Sequence, residues 1–351
     1  MRNLAQDGWM DAMRRGVYCF GGGRGLRSFA VCLREEGLLD GIVAIVDNDA
    51  TRWGTVVTLE GRSIEVISPG ELRRRIRGEA VIISCKAAES IRAQLARFHE
   101  LAETSVGYYR DFLDGWQVGR AERVSFSGDI GSTKEARIPK AIHYCWFGGA
   151  PIPADFRHYI DGWRRFCPDY DIRQWDESNY DVTKNAYMKA AYEAKKWAFV
   201  SDFARLDLVC TYGGFYFDTD VELVKNLDEL RCNEAFMGMD LSGRVSSGLG
   251  IGSVAHQPMM EALRDAYAGY AFTDFQTPEE RWTKQIQLCP DLQSHELEHY
   301  GFVRDCWRMQ DIRGVRIYPV PVLCGDVCGT RVVTDATYAI HHFAGTWVPK
   351  A

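Results

Sequence analysis

The first hundred residues alternate short apolar runs with segments of helical periodicity, and this alternation restricts the fold more than any other feature. Apolar runs occur at Val17–Phe20, Ile42–Val46, Ile64–Ile67 and Ala80–Ser84. Strands that are buried on both faces of a parallel sheet carry few polar residues, and helices connect them along the chain. The pattern therefore predicts an α/β unit with βαβ connections around a parallel sheet.

Helical segments are predicted between and after these runs. Periodicity and end signals place them at the segment that holds Leu26, Phe29, Ala30 and Leu33, at Pro69–Ile76 and, as one long helix, at Ala87–Glu103.

A glycine-rich turn, residues 21–25, follows the first strand. Gly21 and Gly23 match the start of a Gly-x-Gly-x-x-Gly motif, but Leu26 stands where the third glycine belongs. Asp47 closes the second strand, where an acid would bind the ribose of a dinucleotide. Two interpretations stay open, a dinucleotide site and a scaffold domain that binds no ligand.

A second α/β domain is predicted after a region without strong periodicity. We expect a first domain at 1–105, a linker at 106–136 with a small polar stretch at Asp129–Thr133, and a second domain at 137–351. Strands of the second domain are predicted from Ile138, at Tyr170–Trp175, Phe215–Thr219, Ala235–Met239, Val315–Tyr318 and Tyr338–His341. Its helices are predicted at Phe156–Phe166, Ala186–Lys196, Phe199–Tyr212, Met259–Tyr270 and Gln293–His299.

Charge and cysteine usage exclude several functional classes. The net charge of −6 argues against a nucleic-acid partner, which selects for basic surfaces. None of the 11 cysteines forms a Cys-x-x-Cys pair, so a zinc knuckle is not expected. Residues 1–16 lack the apolar core of a signal peptide, and no apolar run approaches bilayer length. We expect a cytoplasmic protein, with peripheral attachment to the inner membrane face as the alternative.

The strongest chemical motif is Gly213-Gly214-Phe-Tyr-Phe-Asp218-Thr-Asp220. In an extended strand, residues two apart point to the same side, so both carboxylates can converge at the end of the strand. Ligands of α/β sheets gather at such ends. Two carboxylates there suit a hard divalent cation that also binds phosphate. The alternative is a pair of solvated turn carboxylates.

A second motif lies on the preceding helix, where Asp202 and Arg205 are three residues apart and share a face. The apolar stripe is formed by Phe199, Phe203, Leu206 and Cys210. Spacing alone favours an ordinary surface ion pair of little energetic value. The functional alternative has Arg205 meeting a diphosphate or sugar and Asp202 accepting sugar hydroxyls.

Two further positions carry candidate ligand groups. His341 and His342 are adjacent, so in a strand only one of them can join a given site, and an imidazole can complete a manganese shell. Trp146, followed by two glycines, could stack on a base. The alternatives are a satisfied histidine in a terminal strand and a core tryptophan.

Together these segments resemble the sugar-binding-region glycosyltransferases of family 32, of the capsular-polysaccharide type. The segments are Ile142–Gly149, Tyr170–Asn179, Ala198–Arg205, Gly213–Asp220 and His341–Trp347, and the resemblance extends over residues 137–351. It implies a GT-A fold and a retaining hexosyltransferase that uses Mn²⁺ or Mg²⁺. It also implies a UDP- or GDP-sugar donor and a glycan or lipid-linked acceptor in capsular or surface polysaccharide synthesis. The first hundred residues resemble small Rossmann-like domains.

The resemblance also implies roles for individual residues. Asp202 and Arg205 would be catalytic, holding the donor sugar and diphosphate. Metal ligands would be Asp218, Asp220 and His342. Donor-binding residues would be Trp146, Asn179, Ser201, Tyr216, Asp218 and Trp347. Related enzymes often have serine two residues before that tryptophan, where this sequence has Gly345.

Two rival functions belong to other classes. An NAD(P)-dependent sugar-nucleotide oxidoreductase or epimerase would use the first domain, with Tyr192 and Lys196 supplying a Tyr-x-x-x-Lys spacing. A non-catalytic sugar-nucleotide-binding protein would have a decayed transferase site, and the intact acids argue against it.

Overall fold

The structure is a computed structural model that describes residues 1–4, 8–124, 135–277, 280, 283–284 and 286–345. The chain divides into two compact units, Met1–Arg120 and Ala121–Ala351. In the described part of the chain, no helix combines the length and the hydrophobicity that a bilayer span requires.

The described helices are α1 (Trp9–Arg15), α2 (Arg24–Glu35), α3 (Pro69–Arg75), α4 (Ala88–Leu95), α5 (Tyr109–Arg123), α6 (Ala154–Phe166), α7 (Ala186–Glu193), α8 (Trp197–Tyr212), α9 (Pro258–Asp265), α10 (Cys289–Glu298) and α11 (Val320–Leu323).

The described strands are β1 (Arg2–Asn3), β2 (Val17–Phe20), β3 (Ile42–Val46), β4 (Val56–Leu59), β5 (Arg62–Ile67), β6 (Ala80–Ile83), β7 (Ser105–Tyr108), β8 (Ala141–Cys145), β9 (Asp171–Trp175), β10 (Gly214–Tyr216), β11 (Val221–Leu223), β12 (Ala235–Gly238), β13 (Ile251–Ser253), β14 (Gln310–Ile312), β15 (Val315–Tyr318), β16 (Asp326–Val327), β17 (Thr330–Arg331) and β18 (Ala339–His341).

The first unit contains a seven-stranded sheet in the order β1-β7-β6-β2-β3-β5-β4. All neighbouring pairs are parallel except β5 with β4. Side chains of the central strand β2 alternate between two cores, with Val17 and Cys19 in one and Tyr18 and Phe20 in the other. The apolar run is therefore buried on both faces, and the expected parallel α/β arrangement is confirmed.

Two sequence-based predictions in this unit are wrong. In place of the long helix at 87–103, α4 ends at Leu95 and a separate short 3₁₀ turn follows at His99–Leu101, with Phe98 in an extended conformation before that turn. The first part of the proposed linker at 106–136 forms β7 and α5 instead. Gly107 is a strand residue, and a Cβ there would lie 2.7 Å from the ring of Trp9. The stretch Asp129–Thr133 lies outside the described residues.

The second unit contains a mixed seven-stranded sheet in the order β14-β15-β12-β13-β10-β8-β9. Strand β10 is parallel to β8 and antiparallel to β13, so the carboxyl ends of β10 and β8 meet at one edge. Strands β11 and β18 form a separate antiparallel pair. This arrangement brings the residues that follow β10 close to the end of β18.

Helix α8 packs against β8 and β10 and is buried all round, since every residue from Phe199 to Cys210 is buried. The charged side chains on this helix are therefore removed from solvent. Buried charges are stable only when they are paired and hydrogen-bonded. Because α8 is buried, Asp202 and Arg205 must form ion pairs or hydrogen bonds with groups inside the protein.

The side chain of His143 on β8 forms hydrogen bonds to Gly213, before β10, and to Trp175, on β9. This side chain has no exposed surface, its Nε2 lies 2.9 Å from the carbonyl oxygen of Gly213, and its Nδ1 accepts from Trp175 Nε1 at 3.1 Å. These partners fit a neutral ring that carries its proton on Nε2. Burial lowers the pKa of His143 below its usual value, although the Gly213 carbonyl opposes this shift.

We expect His143 to make the protein acid-sensitive. Between the lowered folded pKa and about 6.5, the unfolded chain binds a proton that the folded chain excludes, so stability falls as pH decreases. One such group contributes up to about 1.4 kcal/mol per pH unit. The measurement is urea unfolding of wild type and His143→Gln at several pH values from 7 to 5. The variant should be less stable at pH 7 but lose less stability on acidification, and parallel pH profiles would contradict the assignment.

Candidate active site

The two acids of the Asp-x-Asp motif stand in a turn between β10 and β11. The predicted strand at Phe215–Thr219 is wrong at its end, because β10 stops at Tyr216 and the Val221 amide donates to the Asp218 carbonyl at 3.1 Å. Gly214 begins the strand with φ +100°, and a Cβ there would lie 2.7 Å from the carbonyl oxygen of Ala141. Glycine at this position lets β10 lie against β8 and directs the turn to the sheet edge.

The turn gathers a cluster of three possible metal ligands. Asp218, Asp220 and His341 each offer one ligand atom, and these atoms lie within 4.8 Å of one another. His341 Nε2 is 3.4 Å from one Asp220 oxygen, and the Ala344 amide donates to the other at 2.9 Å. Two carboxylates and an imidazole are a donor set that suits Mn²⁺.

The side chain of His342, the histidine predicted as a metal ligand, does not contact the Asp220 carboxylate in the structure, and the imidazole that lies beside this carboxylate is that of His341. His342 Nε2 lies 3.1 Å from Glu222, and its ring stacks on Tyr159 at a centroid distance of 4.6 Å. Arg331 also donates to Glu222, at 2.7 Å. The adjacent histidines point to different carboxylates, as strand alternation predicts, and the described geometry favours His341 over His342 as the candidate ligand.

Arg205 is the centre of a buried hydrogen-bonded network. The residue is 3% exposed, and its Nη2 lies 3.2 Å from both Asp202 and Asp218. Its Nε donates to the Ser201 carbonyl at 3.1 Å, and its Nη1 reaches Ser247 Oγ at 3.4 Å. The expectation of an ordinary surface ion pair is therefore wrong. The guanidinium joins the helix that carries Asp202 to the turn that carries Asp218.

Burial perturbs the titration of this network. It raises the pKa of Asp202 to about 6, although Arg205 and the Cys289 thiol oppose the shift. It also raises the pKa of Asp218, again against the charge of Arg205. Burial alone would lower the pKa of Arg205, but the surrounding groups, led by Asp218, hold it well above its usual value. The arginine therefore remains a cation at neutral pH.

Several residues of this site were missed at the sequence level. Ser247 accepts from Gln293 Nε2 at 2.9 Å, and the Cys289 sulfur lies 3.8 Å from Arg205 Nη1. A Cβ on Gly248 would lie 2.3 Å from Asp218 Oδ2 and 3.1 Å from Arg205 Nη1. These contacts join residues that are 30 or more positions apart in the chain, and no local pattern signals them.

The proposed nucleoside residues fall into two groups. Tyr216 is buried and donates to Asp218 Oδ1 at 3.0 Å, and Ser201 Oγ donates to the Trp197 carbonyl at 3.2 Å. Asn179 Oδ1 accepts from the Asp176 amide, and its Nδ2 donates to the Gln174 carbonyl. Trp146 is half-buried at the end of β8, with its indole N–H donating to the Ala150 carbonyl. Trp347 lies outside the described residues.

The residues of the rival oxidoreductase hypothesis have other partners. In the first unit, Asp47 forms an ion pair with Arg52, and a Cβ on Gly22 would lie 2.6 Å from the same guanidinium. In the second unit, the Tyr192 ring contacts Trp197, and Lys196 donates to the Phe275 carbonyl. The glycine-rich turn and the Tyr-x-x-x-Lys spacing thus belong to different units.

Comparison with known proteins gives one family match. Residues 153–237 match the family model described as the glycosyltransferase sugar-binding region containing a DXD motif. The matched segment is about a quarter of the chain and includes Asp202, Arg205, Asp218 and Asp220. No curated protein sequence matches the chain.

Similar solved structures include two glycosyltransferases. The PaToxG glycosyltransferase is 17% identical, with a TM-score of 0.32 over 47% of this chain and 70% of that chain. The ligand-free glycosyltransferase domain from the YGT toxin is 13% identical, with a TM-score of 0.28 over 38% of this chain and 62% of that chain. Both likenesses are partial, and the assignment of the site residues does not depend on them.

Proposed function

We propose that the chain is a glycosyltransferase that moves a hexosyl unit from a nucleotide-sugar donor to a glycan acceptor. The observation that carries the proposal is the cluster of Asp218, Asp220 and His341 beside the buried pair of Asp202 and Arg205. Asp202, Arg205, Asp218 and Asp220 all lie in the segment that matches the DXD sugar-binding region. His341 lies outside this segment, more than one hundred residues further along the chain.

The donor set fits a divalent cation. Hard oxygen ligands with one imidazole suit Mn²⁺, and Mg²⁺ is the second candidate. The residues that would hold the ion are Asp220, Asp218 and His341. When bound, the cation supplies positive charge that stabilises a leaving diphosphate.

Arg205 and Asp202 act as a unit in this proposal. Arg205 keeps its positive charge beside Asp218 and, through its planar fork, fixes the orientation of both carboxylates. We propose that it contributes charge stabilisation to the diphosphate, since preorganised donors are most effective in a site that excludes water. Asp202 would accept hydroxyl groups of the donor sugar.

The remaining donor contacts are assigned by their exposure. Trp146 is half-buried, so its ring is the proposed stacking surface for the nucleoside. The proposed place of Trp347 beside the diphosphate comes from the sequence resemblance alone. Tyr216 is buried and bonded to Asp218, so we propose that it orients this carboxylate. Ser201 and Asn179 use their side chains within the protein, which weakens their proposed contact with the nucleoside.

The finer properties come from the sequence resemblance and are part of the proposal. They are membership of family 32, a GT-A fold for residues 137–351, a Rossmann-like first domain, and retention of anomeric configuration. They also include a UDP- or GDP-sugar donor, a glycan or lipid-linked acceptor in capsular or surface polysaccharide synthesis, and a cytoplasmic location that includes the inner membrane face.

A thermal-shift panel tests the proposed function. The protein is heated with nucleoside diphosphates and nucleotide sugars, each with and without Mn²⁺. We expect one nucleotide class to raise the melting temperature, and to do so only when Mn²⁺ is present. Proton NMR of the product's anomeric signal then tests retention. A panel without any nucleotide-dependent shift would contradict the proposal.

A further inference from the structure

The loop between β12 and β13, residues 239–250, contacts the Arg205 guanidinium. Ser247 in this loop has no exposed surface, and its Oγ lies 3.4 Å from Nη1 of Arg205. The next residue, Gly248, has no space for a side chain, because a Cβ there would lie 3.1 Å from the same nitrogen and 2.3 Å from Asp218 Oδ2. Its carbonyl oxygen accepts from the Asp218 amide at 3.3 Å. Ser247 and Gly248 therefore contact both the arginine and the acidic turn.

One side chain of α10 holds the hydroxyl of Ser247 in place. Gln293 is 1% exposed, its Oε1 accepts from the Ser247 amide at 3.3 Å, and its Nε2 donates to Ser247 Oγ at 2.9 Å. A backbone amide can only donate, so these two bonds also determine which end of the glutamine amide faces it. The bond from Gln293 is shorter than the contact with Arg205, so the glutamine fixes the hydroxyl at the point where it meets the guanidinium.

The hydroxyl contacts a part of the guanidinium that the ion pairs do not hold. Nη2 of Arg205 is shared between Asp202 and Asp218, and Nε donates to the Ser201 carbonyl on the same helix. Because the guanidinium is planar and rigid, a partner at Nη1 restricts the orientation of the whole group. Groups that stabilise a developing charge are most effective when their orientation is set before the reaction.

We propose that Ser247 is a positioning residue for sugar transfer, held by Gln293 and acting through Arg205. This inference rests on the proposed function and adds to it the groups that direct the guanidinium. Ser247 is fully buried, so it acts without contact with the donor. The leaving diphosphate gains charge only as its bond to the sugar breaks. A misdirected guanidinium therefore slows turnover more than it weakens donor binding.

Ser294 provides a matched control for Ser247. It follows Gln293 on α10, has no exposed surface, and its Oγ accepts from the Val245 amide at 2.9 Å. Ser294 thus joins the same loop to the same helix, but from the helix side. Ser247→Ala and Ser294→Ala each delete one buried hydroxyl that accepts a hydrogen bond across this contact, so we expect a similar decrease in stability and a folded protein in both cases. Of the two, Ser247→Ala removes the hydroxyl that meets Arg205.

Turnover and donor KM are measured for wild type and both variants with UDP-glucose and GDP-mannose in the presence of Mn²⁺, as release of the nucleoside diphosphate. We expect Ser247→Ala to lower kcat roughly tenfold with little change in donor KM, because a small misplacement of a catalytic group is costly. Ser294→Ala should retain most of the turnover. Equal kcat values for the two variants, or a change confined to KM, would overturn the inference alone. Absence of turnover of both donors by wild type would overturn the proposed donor class and this inference with it.

A double-mutant cycle with Arg205→Lys tests whether the effect of Ser247 passes through the guanidinium. In the Arg205→Lys background, Ser247→Ala should lower kcat by much less than in wild type, because the planar fork that the hydroxyl directs is already missing. An equal loss of kcat in both backgrounds would show that Ser247 acts independently of Arg205 and would contradict the assignment.

Discussion

Replacing Asp220 by asparagine is expected to reduce sugar transfer by a factor on the order of 100–1000, the range seen when one preorganised charge-stabilising group is lost. The substitution removes a carboxylate from the cluster with Asp218 and His341. The new side chain keeps an oxygen that can accept from the Ala344 amide, which donates to Asp220 at 2.9 Å. We therefore expect a folded protein with a melting temperature close to that of wild type.

The matched control is Glu222→Gln. Glu222 lies two residues further along the chain and bonds to Arg331 and His342 outside the three-residue cluster. Transfer is measured as release of the nucleoside diphosphate in the presence of Mn²⁺. We expect Glu222→Gln to retain most of the activity. If Asp220→Asn retained as much activity as Glu222→Gln, the acidic turn would not be the catalytic centre.

Replacing Arg205 by lysine is expected to lower turnover about 100-fold, because an ammonium group cannot reproduce the planar fork. The Nη2 of Arg205 is shared between Asp202 and Asp218, while its Nε and Nη1 bond to Ser201 and Ser247. A lysine preserves the charge but cannot satisfy these partners together. Arg205→Met removes the charge as well and should cost about 3–5 kcal/mol of stability, since it leaves buried carboxylates unpaired.

Stability and activity measurements on the two Arg205 variants separate a chemical role from a structural one. The free energy of unfolding measured in urea should be highest for wild type, lower for Arg205→Lys and lowest for Arg205→Met. Activity is compared under conditions in which each protein is fully folded. A folded Arg205→Lys protein with near wild-type turnover would contradict the proposed role of the guanidinium fork.

Much of the secondary structure could be predicted because it depends on local patterns. The bounds of β2, β3 and β15 agree with the apolar runs Val17–Phe20, Ile42–Val46 and Val315–Tyr318. The burial of α8 could also be predicted from the sequence. Besides the apolar stripe, this helix carries Val200, Ala204 and Leu208 on its other faces, and a helix that is apolar all round is expected to be buried.

The composition of the site could be predicted only in part. Asp218, Asp220, Asp202 and Arg205 lie in two short motifs, so their grouping was visible in the sequence. The choice between His341 and His342 depends on side-chain directions at the end of β18, where Phe343 has a positive φ of 47°. Contacts from distant segments, such as that of Gly248 with Asp218, depend on tertiary packing. Neither feature has a local sequence signal.

The most direct test of the proposed metal centre is Mn²⁺-dependent UDP binding to His341→Ala and His342→Ala. His341 lies 3.4 Å from Asp220 in the carboxylate cluster, whereas His342 bonds to Glu222 and stacks on Tyr159. Calorimetry with and without Mn²⁺ gives the metal-dependent part of the UDP affinity for each protein. We expect His341→Ala to lose most of this part, because one of three protein ligands is missing, and His342→Ala to retain it. Metal-dependent binding that survives in His341→Ala but is lost in His342→Ala would contradict the proposed centre.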